Sequence, residues 1–79
     1  MSLTLSDLAL IIPLVEAELD KLHAILNDNN ADEKTADDAA ELSVLYGNAS
    51  GNLKELYESL RQPGSNFPTY EELAKRRPQ

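Results

Sequence analysis

Residues 5–26 read LSDLALIIPLVEAELDKLHAIL, and this stretch decides the fold. Its apolar residues Leu5, Leu8, Ile12, Val15, Leu19, Leu22 and Leu26 recur at alternating steps of three and four. That is an unbroken heptad seam, one apolar line along one side of an α-helix. A second stretch repeats it with Ala39, Leu42, Tyr46, Ala49, Leu53, Leu56 and Leu60. The two seams have equal length and mirror each other about residue 32. Together they predict an all-α fold: one antiparallel helical hairpin over residues 1–62, with Leu19 facing Tyr46 and Ile12 facing Leu53.

Capping signals set the expected ends. Thr4 with Asp7 fits a capping box, so the first helix starts at Leu5 and runs to about residue 29. Residues 27–38, NDNNADEKTADD, make the turn. Thr35 with Asp38 is a second capping box and opens a helix over 35–61; Asn30 with Glu33 is a rival cap that lengthens it by about a turn. Pro63-Gly64 stops that helix. Residues 63–79 form a linker and arm, with Thr69 and Glu72 capping a short helix over 70–76 that Pro78 ends.

Two features strain the long helices. Pro13 removes one intrahelical hydrogen bond; the seam stays in phase across it, so a kink on the outer side is expected. Gly47 and Gly51, among Asn48, Ser50 and Asn52, lower helix propensity. The seam through Tyr46, Ala49 and Leu53 argues that the helix continues past them.

The chain carries no cysteine and a formal net charge of −7 at pH 7. Neither a disulfide framework nor a thiolate metal site is possible. No apolar run is long enough to span a bilayer, and a soluble, cytoplasmic protein is expected. The charge is uneven: residues 1–60 sum to −9 and residues 61–79 to +2. An acidic body disfavours phosphate backbones and favours basic protein surfaces.

No motif carries catalytic chemistry. Glu16, Asp20 and His23 have spacing suited to a divalent metal, but Asp20 lies on the outward side, and His23 is expected to be half-buried opposite Ser43. Asp28, Asn30 and Asp32 imitate the first positions of a calcium loop, which then fails at Glu33 and Ala39. Tyr46 is expected as a core aromatic with its hydroxyl at the edge. No metal, cofactor or enzymatic activity is therefore expected.

What remains is surface for other proteins. Leu10, Ile11, Leu14, Val44 and Leu45 lie off the seam. A hairpin this small needs more burial than its seam supplies. Two copies stacking these faces would make a four-helix bundle, so a homodimer is expected. Partner contact falls to the acidic turn (Asp32, Glu33, Asp37, Asp38) and to Phe67, Tyr70 and Leu73 of the arm. The expected function is an acidic adaptor, regulator or inhibitor acting by protein–protein interaction. The alternative is a nucleic-acid-linked protein. One version is an acidic mimic blocking a basic groove. The other is a small RNA-binding dimer, which at the level of architecture resembles the four-helix plasmid RNA-binding bundles.

Overall fold

A computed structural model describes residues 3–76 as three helices in an elongated body of 47 × 25 × 16 Å. Helix α1 spans Leu5–Leu26, α2 spans Glu33–Leu60 and α3 spans Tyr70–Lys75. No strand occurs among the described residues. The expected Pro78 stop lies outside them, as does Arg77 of the basic Lys75-Arg76-Arg77 run.

Capping chemistry explains the helix starts. The Thr4 side chain accepts the Asp7 N–H while the Asp7 carboxylate accepts the Thr4 N–H. Thr69 and Glu72 do the same for α3. Between α1 and α2 the outcome differs from the expected caps. α1 ends three residues early, because the Asp28 side chain accepts the Asn30 N–H and holds a turn in place of another helical turn. α2 starts two residues early, because Asp32 is the N-cap and its carboxylate accepts the Thr35 N–H at 2.8 Å. A carboxylate there satisfies an orphan donor and also meets the positive end of the helix.

α2 runs unbroken through Gly47 and Gly51. It has 28 residues against 22 in α1. In the mirrored register the surplus is its first turn and a half, which projects past the end of α1.

The antiparallel register is visible where Glu16 of α1 hydrogen-bonds Ser50 of α2, within one residue of the mirrored position. Leu53 packs on the cluster that contains Ile12; Leu19 is buried and Tyr46 half-buried. The buried face of α2, however, is turned from the expected one. Leu42, Leu56 and Leu60 are 42%, 39% and 39% exposed, whereas Tyr57, one residue off the seam, is fully buried. The core cluster is Leu8, Ile12, Tyr57 and Leu73, all 1% exposed or less.

The cause is α3. It lies along the flank marked by Glu16, Ser50 and Tyr57 and draws the buried face of α2 toward itself. Pro13 is also buried instead of facing out. It falls between Ala9 and Glu16 on that same flank, where its ring adds apolar cover.

Candidate functional site

Two helices side by side leave two grooves, one on each flank of their seam. α3 fills one. Three hydrogen-bonded ties hold it there, besides Leu73. The Tyr70 hydroxyl and the Ser50 hydroxyl both donate to Oε1 of Glu16 at 2.5 Å, and the two hydroxyls lie 3.2 Å apart. One carboxylate thus joins all three helices. The Tyr57 hydroxyl donates to the Pro68 carbonyl at 2.6 Å, and Nε of Arg61 donates to the Phe67 carbonyl at 3.0 Å. Lys54 places its ammonium 5.6 Å from the centroid of the Tyr70 ring. Burial pushes the Tyr57 phenol above the usual tyrosine range, against the opposing pull of Arg61 and Arg76.

The linker is shaped to make these ties. Ser65 donates its N–H to the Gln62 carbonyl at 3.0 Å, closing a turn over Pro63 and Gly64. Gly64 has φ +81°, and proline followed by a glycine of positive φ is the residue pattern of a type II turn. A cleft of about 270 Å³ remains between the end of α2 and the start of α3, lined by Tyr57, Glu58, Arg61, Thr69, Tyr70 and Glu71.

The other groove is left open. Leu14 and Leu45 are 59% and 60% exposed, Leu42 and Leu56 about 40%. Ile11 and Ile25 are half-buried beside them. Leu10 and Val44 lie further out and are exposed as well. Among the described residues no third element covers this side. The off-seam residues singled out from the sequence (Leu10, Ile11, Leu14, Val44, Leu45) thus fall on the flank and outer surface away from α3.

The other expected site residues meet different fates. Asp32 is engaged as the α2 cap, which holds its carboxyl below the usual aspartate range through the Thr35 hydrogen bonds. Glu33, Asp37 and Asp38 are exposed on the projecting start of α2. The arm docks on its own hairpin. Leu73 is in the protein's own core, and Phe67 and Tyr70 pack half-buried against it. Leu73 is closed off at 1% exposure, while Phe67 and Tyr70 keep part of their surface; a helix as short as α3 holds its structure by such docking. His23 is exposed instead of half-buried, and Ser43 bonds the Ala40 carbonyl of its own helix.

Sequence reading missed the Glu16–Ser50–Tyr70 junction and Tyr57. A signal was present. Ser43, Ser50 and Tyr57 form a seven-residue line one step from the leucines, and small hydroxyl side chains there let a third helix approach closely. The leucines on the neighbouring line outweighed it.

Chemically, the junction ties helices together and the open groove offers apolar contact. Among the described residues, no three His, Asp or Glu side chains gather as a metal site, and no helix is long and apolar enough to cross a membrane. Set against protein-family models, curated proteins and solved structures, the chain matches none of them.

Proposed function

We propose that this is a non-enzymatic, cytoplasmic protein-binding module, an adaptor, regulator or inhibitor that presents the uncovered side of its hairpin to another protein. The asymmetry of the hairpin carries this reading. One groove is closed by α3 and its linker, while the other keeps Leu14, Leu42, Leu45 and Leu56 at 39% to 60% exposure. Contiguous apolar surface rimmed by polar residues is the usual mark of an association face.

A second reading uses the same surface. Two copies stack into a four-helix bundle with Leu10, Ile11, Leu14, Val44 and Leu45 between them. The five residues favour it because they extend the apolar surface of both helices outward.

Leu14→Glu and Leu45→Glu test the face without attacking the core, since both side chains are more than half exposed. Circular dichroism should be unchanged in each. A protein retained by the tagged wild type should be lost from both variants. Sedimentation equilibrium at tens of micromolar reads whether the associated protein is a second copy. A partner held equally by wild type and both variants would overturn the proposal.

A further inference from the structure

The open groove has a charged rim as well as an apolar floor. Asp38, Glu41 and Glu55 are exposed along its α2 edge, and Glu18 borders its α1 edge. Asp38 lies four residues before Leu42, Glu41 four before Leu45, and Glu18 four after Leu14, so these three carboxylates are helical neighbours of exposed leucines, and Glu55 continues the line of Glu41 two heptads further on. Two cations stand near them, Lys21 at 3.9 Å from Glu18 and Lys34 four residues before Asp38 on α2, and the four carboxylates outnumber them. Asp38, Glu41 and Glu55 make no ion pair among the described residues. Two further cations are engaged on the other flank: Arg61 at the end of α2 donates to the Phe67 carbonyl, and Lys54 of α2 lies over Tyr70.

This rim discriminates between occupants. A second copy brings the same carboxylates. Antiparallel stacking of two α2 helices about Asn48 sets Glu41 against Glu55 of the second copy, twice, across a surface that excludes water. A helix with leucine-type residues on one stripe and lysine or arginine beside it meets both floor and rim favourably. Resting on the association face proposed above, we infer that the groove between α1 and α2 opposite α3 receives a basic amphipathic helix of a partner protein.

The test uses the full chain and synthetic probes. One peptide, about 18 residues or five turns long, carries leucines at heptad spacing with lysines between them. Its counterpart keeps the leucines and replaces every lysine by glutamate. Calorimetric titration should show the lysine peptide binding at least about tenfold more tightly, weakening about tenfold between low salt and half-molar salt. Methyl resonances of Leu14, Leu42, Leu45 and Leu56 should shift, while that of Leu73 should not. Combined Asp38→Lys, Glu41→Lys and Glu55→Lys should reverse the preference between the peptides. Leu14→Gln with Leu45→Gln should abolish binding while leaving the rim charges intact.

Equal binding of both peptides, no binding, or shifts confined to the α3 side would overturn the inference. So would a wild-type chain that is already dimeric with those four methyls shielded. That last result leaves the association face standing and removes only the partner named here. Capture unaffected by Leu45→Glu would instead remove the face itself.

Discussion

Leu8 and Leu26 occupy the same apolar seam near opposite ends of α1, yet one is fully buried and the other 40% exposed. Both belong to one heptad line, so periodicity alone does not separate them. The difference is a third layer. At the α3 end, Leu73 and Tyr57 close over Leu8 and Ile12. At the turn end only two helices meet, and of the residues there Leu22 and Ala39 are buried while Leu26 and Leu42 stay partly wet. Two helices pressed together shield only the strip between them; a helix laid along their groove encloses it. The most closed packing is therefore at the α3 end, while spare surface runs along the flank away from α3 and over the turn end.

The largest expected effect tests that division. Leu8→Ala should cost about 3 to 4 kcal/mol, from lost burial plus the cavity left in a closed cluster. Leu26→Ala, at a site already partly in water, should cost less than about 1 kcal/mol. Urea denaturation of the two variants checks both. Similar losses would mean that the turn end is as closed as the α3 end, which would break the comparison.

A smaller effect isolates how α3 is held. Tyr70→Phe should cost about 1 to 2 kcal/mol, because a hydroxyl donating to a half-buried carboxylate makes a charge-assisted bond. In a Glu16→Ala background the same change should cost less, since the bond to Glu16 is already gone and the contact between the Tyr70 and Ser50 hydroxyls remains to be lost. Ser59→Ala, whose exposed hydroxyl bonds only the Leu56 carbonyl of its own helix, serves as the control and should be neutral. If Tyr70→Phe is as mild as Ser59→Ala, apolar packing alone holds the arm and the junction is incidental.

Much of this was legible in the sequence, and the illegible parts share one physical origin. Heptad seams and capping boxes are local or periodic signals, so the three helices, their antiparallel register and the Thr4 and Thr69 caps could be read directly. The continuity of α2 through Gly47 and Gly51 followed from phase. Whether the arm covered the hairpin, and on which flank, depended on tertiary contact. That one unknown decided that Tyr57, not Leu56, would be buried, that Pro13 would face inward, and that Leu73 would belong to the core. The open face was legible by the same logic: Leu10, Leu14, Val44 and Leu45 lie off the seam whichever flank the arm takes.

Gly47 and Gly51 sharpen the contrast from the other direction. A Cβ added at either position meets nothing within 4 Å, and neither has positive φ. Gly47→Ala and Gly51→Ala should therefore each stabilise the protein by about 0.5 to 1 kcal/mol, read as a raised urea midpoint. Gly64→Ala should do the reverse by about 1 kcal/mol, since its φ of +81° strains any L side chain. A destabilised Gly51→Ala would show that the outer side of α2 is occupied in solution.

The smallest expected effect is in pH, and it separates the two ends once more. Asp32 caps α2 at the turn, and its carboxyl is lowered by the hydrogen bonds from Thr35. Glu72 closes the α3 capping box; its carboxyl is lowered first by the Thr69 N–H, then by the Thr69 hydroxyl, and more weakly by Arg76 and Arg61. Both carboxyls are more acidic folded than unfolded, so each favours the folded state when ionised. That contribution is complete above the ordinary carboxylate range and is lost as pH falls through the lowered folded values. Both groups are solvent-exposed, so the global change should be slight and the local one informative. Amide exchange followed down the acid limb should show α3 loosening as Glu72 protonates and the first turn of α2 fraying as Asp32 does. Asp32→Asn keeps an acceptor for the Thr35 N–H but no longer titrates, so it should remove the acid dependence at the turn and leave that of α3 untouched. If Asp32→Asn instead alters α3, the two ends are coupled through α2, and stability is not confined to the three-layered end.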